Sequence, residues 1–289
     1  MVFHRIYNNN LYNVKEVKNL GFEKSEGFRI PDEYLNEQKF MIMRTCHGIG
    51  DWGILSAMPR LLKEKYPECK VYVPSKKLLK KLFGSSHNNV NVVFKHNSYV
   101  DKFVDEIEGE VFHDHYRIFD NDDIDYPLIK QMLKFWQYED CELVDYLPEI
   151  YWTKEEILFG NNIIKEYVGD KDFGALLISE RFGTQMGVLD KKQYTKDVKI
   201  IKKFLVENNL PYFYFTSKPI EETEFNFITK SLDMRNIDLR IQLYIKSKAK
   251  CNIGNQCGMT QTILRYSKCF TSQRQYPIAH NFLDTEIYE

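Results

Sequence analysis

Residues 40–67 read FMIMRTCHGIGDWGILSAMPRLLKEKYP, and the fold turns on this stretch. Phe40 to Met43 is a short apolar run closed by a glycine-rich turn, which predicts a buried strand over 40–44. Beyond it Ile54, Leu55, Met58, Leu61 and Leu62 recur at three- and four-residue intervals, so a helix over 53–65 presents one apolar face. Lys63, Glu64 and Lys65 mark its wet end and Pro67 stops it. The product is a strand, a tight loop and a helix whose amino terminus points back over the strand's end. In open α/β sheets that crevice receives ligands.

Gly48, Gly50 and Gly53 have the G-x-G-x-x-G spacing that lets a backbone approach a pyrophosphate at a helix amino terminus. Two features argue against a dinucleotide. Asp51 puts a carboxylate inside the loop, where a pyrophosphate needs donors. The second strand ends Tyr72-Val73-Pro74-Ser75-Lys76, without an acidic residue to hold a ribose. Asp51 also has a structural role open to it, since Asp caps helices well and is stabilised there by the helix dipole.

Working outward, residues 1–38 are polar and asparagine-rich and read as an amino-terminal extension lying across the surface. From Phe40 the pattern predicts strands near 40–44, 70–74, 90–94 and 110–113. Helices are expected over 53–65, 76–83 and 99–107, with a further one over 123–138. A second unit opens after Leu147-Pro148. Its helix is capped by Thr153 with Glu155 and Glu156 and runs to Tyr167, and the apolar strand 174–179 follows. A loop over 180–190, helices over 194–208, 221–232, 239–247 and 259–266, and strands over 212–216 and 250–253 complete it. Alternation of this kind implies an α/β fold with two Rossmann-like domains in series, 39–148 and 149–289, each with a largely parallel sheet.

The chain has 289 residues, 43% hydrophobic and 15% aromatic, enough for two cores. With 40 Lys and Arg against 41 Asp and Glu, nothing calls for nucleic acid or an anionic membrane as the main partner. No apolar run approaches the ~20 residues of a spanning helix, so a cytoplasmic protein without a transmembrane segment is expected. Cys46, Cys69, Cys141, Cys251, Cys257 and Cys269 contain no C-x-x-C pair and read as free thiols. Cys46 and His47 are adjacent on an extended segment and point to opposite faces, which disfavours a nucleophile–base pair.

Arg44-Thr45-Cys46-His47-Gly48-Ile49-Gly50-Asp51, followed by a helix with Pro59 and closing on Lys65-Tyr66-Pro67, resembles the opening of the lipopolysaccharide heptosyltransferases, glycosyltransferase family nine. The segment Leu243 to Gln261 resembles that family's carboxy-terminal donor motif, Asp-x-Gly-x-x-His. Its glycine is kept as Gly258, whereas Gln256 and Gln261 stand at the acidic and histidine positions. The resemblance implies the GT-B arrangement, two such domains facing across a cleft. It also implies sugar transfer from a nucleotide-sugar donor to a hydroxyl of a glycan or glycolipid acceptor, with inversion at the anomeric carbon and no metal. Asp51 matches the aspartate assigned as catalytic base. The donor would meet Gly48, Gly50, Arg181, Lys191, Lys192, Asn255, Gln256, Gly258 and Gln261. An acceptor on a glycolipid is compatible with peripheral contact at the inner face of a membrane.

The residues support parts of this independently. A departing diphosphate needs positive charge or backbone donors. Arg181 follows the strand ending at Ser179, Lys191 and Lys192 lie on the ensuing loop, and Gly254 to Gly258 lead into a helix. Each has an ordinary alternative as solvated charge or glycine turn. His113, Asp114, His115 and the acids Asp120, Asp122, Asp123 and Asp125 suggest a metal site on paper. The acids precede a helix, however, where they serve as caps. Two rival functions follow from the same residues: a catalytically silent sugar-nucleotide binder, from Gln256 and Gln261, and a dinucleotide-binding oxidoreductase, from the three glycines.

Overall fold

The computed structural model describes residues 4–5, 39–42, 48–84, 88–106, 112–113, 145, 147–178, 191–215, 219–228, 231–254, 257–272 and 285–287. The chain divides into two compact units, Met1–Tyr151 and Trp152–Glu289. Each is built on its own mostly parallel sheet.

In the first unit, strands β1 (His4–Arg5), β2 (Lys39–Met41), β3 (Lys70–Pro74), β4 (Lys102–Val104) and β5 (Phe112–His113) lie in the order β1-β5-β2-β3-β4. β2 to β5 are parallel, and β1 pairs antiparallel with β5 at the edge, His4 opposite His113. Part of the expected surface extension is therefore a sheet strand. Sheet growth changes direction between β2, which starts the parallel set, and β5, which ends it. Among the described residues, the first helix-forming stretch after β2 is Ile49–Ile54 (α1), followed by Met58–Lys65 (α2). The single helix expected over 53–65 is thus two. Pro59 has no N–H to continue α1's ladder, and it sits in the first turn of α2, where that N–H would be orphaned anyway.

Helix α3 (Lys76–Phe83) follows the pattern closely, capped by Ser75 Oγ accepting from Leu78 N at 3.1 Å and closed by left-handed Gly84. The next two elements are exchanged relative to expectation. Residues 89–94 form helix α4 (Asn89–Phe94), and the helix expected over 99–107 contains strand β4 instead. Val90, Val93 and Phe94, spaced three and four apart, are all buried, so the helical period prevails over the Val90/Val92 alternation. The helix expected over 123–138 lies outside the described residues.

The division between units falls after Tyr151, three residues beyond the expected 148, because the intervening residues are bonded into the first unit. Glu149 N donates to Ser56 Oγ at 2.7 Å, Arg60 Nε donates to Glu149 Oε1 at 2.6 Å, and Tyr151 OH donates to Glu149 Oε2 at 2.8 Å. Burial opposes the Arg60 charge, but the Glu64 and Glu149 carboxylates outweigh it and hold the guanidinium pKa above its ordinary value.

The second unit runs α5 (Lys154–Val168), β6 (Gly174–Leu177), α6 (Lys191–Glu207), β7 (Tyr212–Phe215), β8 (Ser231–Asp233), α7 (Leu239–Lys248), β9 (Cys251–Gly254), α8 (Gly258–Thr262), β10 (Lys268–Thr271) and β11 (Thr285–Ile287). All of its strand pairs are parallel, in the order β11-β10-β9-β6-β7-β8. Numbered from β6, this is the 3-2-1-4-5-6 order of the Rossmann fold. Both faces of the sheet are covered, which is why β6 and β7 are apolar throughout. Leu176 and Tyr214 pack with Ile201 and Phe204 of α6, while Leu177 and Phe215 pack with Ile241, Tyr244 and Ile245 of α7. The helix expected over 221–232 is a short 3-10 turn at Ile220–Glu222 followed by β8, and β10 and β11 were not anticipated. These three strands are short, and each is a strand because a parallel neighbour offers it a ladder.

The sheet's switch point lies between β6 and β9, whose last paired residues are Leu177 and Gly254. A Cβ on Gly254 would stand 1.8 Å from the Leu177 carbonyl oxygen, a backbone atom. Gly254→Ala is therefore expected to break the ladder at this end. It should lower stability by about 1–3 kcal/mol, read from the urea midpoint. An unchanged midpoint would show that the two strands can part without penalty.

Candidate functional site

Both units present candidate residues on the carboxyl side of their sheets. In the first, Gly48 is extended (φ −65°, ψ 154°) and caps α1, and Asp51 occupies the third helical position. The Asp51 carboxylate turns back so that Oδ2 accepts a hydrogen bond from Gly48 N at 3.0 Å. A side chain at Gly48 would strike that oxygen, its Cβ lying 2.7 Å away. Trp52, fully buried, meets the Phe94 ring edge-on at 6.2 Å and anchors α1 against α4. Asp51 is thus a half-buried carboxylate on a fixed helix start beyond β2. Its observed role is to close the capping box with Gly48. Gly50 is buried within α1 and contributes close packing.

In the second unit, Lys191 and Lys192 lie in the first turn of α6 and not on a loop, and Lys192 is exposed. Parallel pairing of β6 with β7 obliges α6 to run back along the sheet, so its amino end is on the carboxyl side. Gly258 begins α8, and Gln261 on that helix is 6% exposed. Arg181, Asn255 and Gln256 lie outside the described residues, as do Cys46, His47, His115 and the acids at 114–125. Among the described residues, no group of three or more His, Cys, Asp or Glu side chains could hold a metal ion. No helix among them is long and apolar enough to cross a membrane.

Three features of the second unit escaped the sequence reading. Ser272, immediately after β10, donates from N to Gly254 O at 3.1 Å and from Oγ to Asp197 Oδ1 at 2.8 Å, tying α6 to the end of β9. Gly254 itself is clamped against Leu177. Lys246 is 0% exposed on α7, with Nζ 5.0 Å from the centre of the Phe215 ring, and that amine has no hydrogen-bond partner among the described residues. Burial lowers its pKa, partly opposed by the nearby Cys257 and Cys269 thiols. Burial likewise pushes the Cys269 thiol up to about 12, so it stays protonated at neutral pH. The one sequence signal for Lys246 was its place in the apolar run Leu243-Tyr244-Ile245. The described cysteines are free, with Cys69, Cys251 and Cys269 buried and Cys257 half-buried.

No protein-family model matches the sequence, and no curated protein matches it. Solved structures do match. A glycosyl transferase family 9 structure from Veillonella parvula DSM 2008 aligns over 88% of this chain and 86% of its own, at 9% identity and a TM-score of 0.61. ADP-heptose lps heptosyltransferase II from E. coli aligns over 86% and 89%, at 9% identity and a TM-score of 0.48. The chain has the two-unit α/β fold of the first of these. At this identity the likeness is one of fold.

Proposed function

We propose that the protein is a glycosyltransferase that moves a sugar from a nucleotide-activated donor to a hydroxyl of a glycan or glycolipid. The observation that carries this reading is the fold shared over 88% of the chain with a family 9 glycosyltransferase structure. Asp51, half-buried at the start of α1, is the residue we assign to take the proton.

In this mechanism Asp51 Oδ accepts the acceptor hydroxyl's proton as that oxygen attacks the anomeric carbon. The bond to the donor phosphate breaks in the same displacement, and the configuration inverts. The second unit stabilises the departing diphosphate, with Arg181, Lys191 or Lys192 and the backbone at Gly258 as donors and Asn255, Gln256 and Gln261 lining the donor. Charge is offset by these cations in place of a metal. A sugar-nucleotide binder without turnover is the second reading, favoured by the neutral Gln256 and Gln261.

A thermal-shift panel of ADP-, UDP-, GDP- and CMP-activated sugars, each with and without a chelator, tests the proposal. One donor at a hundred times its dissociation constant should stabilise the fold by about 2.7 kcal/mol, equally with chelator present. Stabilisation followed by transfer to an acceptor supports the enzyme, and stabilisation without transfer across a broad acceptor set favours the silent binder. A panel in which no nucleotide sugar shifts the melting temperature would sink both.

A further inference from the structure

Helix α5 is held firmly along one side and carries an apolar run on the other. Gly160 is buried against Tyr244, whose Cδ1 would lie 2.3 Å from a Cβ at that position, and Tyr244 OH donates to Asn161 Oδ1 at 2.8 Å. Glu156 is held by Arg240 near one end, and Ile163, Ile164 and Tyr167 pack on the core toward the other. These contacts set the rotation of the helix and turn Ile157, Leu158 and Phe159 outward, 36%, 62% and 52% exposed. The other exposed large apolar side chains among the described residues, Val206 and Phe227, stand singly. Single apolar residues on a surface need no partner, whereas a contiguous exposed run marks an interaction surface.

The charges around the run say which partner fits. At the helical period Glu155, Leu158, Phe159, Asn162, Lys165 and Glu166 share one outward stripe with Lys154 at its edge, and all of these residues are exposed. Two such stripes laid antiparallel about a twofold axis at the height of Gly160 set each residue against the one equally far on the other side of that glycine. Glu155 then faces Lys165 and Lys154 faces Glu166, with the same pairs repeated by symmetry. Leu158 and Phe159, the nearest of the stripe to the axis on their side, gather with their own counterparts at its centre. Sliding the pairing by one residue sets Glu155 against Glu166 or Lys154 against Lys165, so the charges select a single register. With two lysines balanced by two glutamates, the face lacks the positive excess that an anionic lipid or a nucleic acid requires.

We propose that the outward face of α5 is a docking surface for a second copy of this chain, paired antiparallel about a twofold axis beside Gly160. The inference is independent of the glycosyltransferase reading. One helix from each copy, about 22 Å long, makes an interface at the small end of the stable range. The pairing is therefore reversible and depends on protein concentration.

Sedimentation velocity of the full chain over a concentration series tests this. Wild type should pass from a 34.5 kDa monomer to a species of twice that mass as concentration rises. The double variant Leu158→Gln, Phe159→Gln should associate about tenfold or more weakly, as expected when the central apolar anchors of an interface are removed. It should melt at the wild-type temperature, because both side chains are exposed and Gln is a good helix former. Glu155→Lys and Lys165→Glu each bring like charges together and should associate weakly alone. A mixture of these two single variants should dimerise as wild type does, since every Lys then faces a Glu of the other chain. Association that the double variant leaves unchanged would place the interface elsewhere and overturn the proposal. A mixture that stays monomeric would overturn the antiparallel pairing. Wild type that is monomeric at every concentration would overturn the second copy as occupant, and its retention by phosphatidylcholine vesicles would assign the face to lipid instead.

Discussion

Asp51→Asn should fold as well as the wild type and lose about a hundredfold to ten-thousandfold in transfer rate, the usual weight of a general base. The two halves of this expectation come from different atoms. The cap requires an oxygen that accepts from Gly48 N, now 3.0 Å from Oδ2, and Asn keeps such an oxygen and caps about as well as Asp. Catalysis requires an oxygen that can take up a proton, which a carboxamide cannot do. Melting temperature and donor affinity should therefore stay close to wild type, because Trp52 and Phe94 still hold α1 in place and the donor is assigned to the second unit. Asp51→Ala is the complementary variant. It loses the cap as well, at a further cost of about 1 kcal/mol in stability. An unchanged rate in well-folded Asp51→Asn would reduce Asp51 to its capping role.

The largest stability effect is expected at Arg240. Its guanidinium donates from Nε to Glu156 Oε1 at 2.6 Å and from Nη2 to Glu156 Oε2 at 2.9 Å, joining α7 to α5 by a bidentate pair with side chains 5% and 16% exposed. Glu156 is also half of the capping box that starts α5: Thr153 N donates to its Oε2 at 2.9 Å, and Glu156 N donates to Thr153 Oγ1 at 3.1 Å. Arg240→Met leaves that carboxylate enclosed without its cation. Breaking a pair of this kind costs about 3–5 kcal/mol, a large share of the ~5–15 kcal/mol that holds an ordinary domain folded. The urea midpoint should fall accordingly. The double variant Arg240→Met, Glu156→Gln should recover much of the loss, since it removes both charges and keeps a capping oxygen. A single-variant cost below about 1 kcal/mol would mean that the pair behaves as a solvated surface bridge.

The features legible in the sequence were those whose causes lie within a few residues of each other. Thr153 and Glu156 are three apart and form the capping box the spacing implies, and Ser75 caps α3 by the same local geometry. The apolar runs at 174–177 and 212–215 are strands because a continuous run can only be buried on both faces. Gly48 and Asp51 touch because they are three apart across a helix start, so the capping role of Asp51 was readable before any coordinates.

Elsewhere the deciding partner is distant in the chain, and the local pattern could not choose. The segment 88–94 carries both a strand-like alternation and a helical spacing. It is a helix with Phe94 seated against Trp52. Residues 102–104 form a strand through their ladder with Tyr72 to Pro74. The same holds for charge. Arg240 and Lys246 sit six apart on one helix and read alike as polar residues, yet both are buried. Arg240 meets a carboxylate from α5, while among the described residues the Lys246 amine meets an aromatic face and two thiols. Period and capping are properties of neighbours along the chain. Whether a buried cation has a partner depends on which strands and helices the fold brings beside it, and only the tertiary structure decided that.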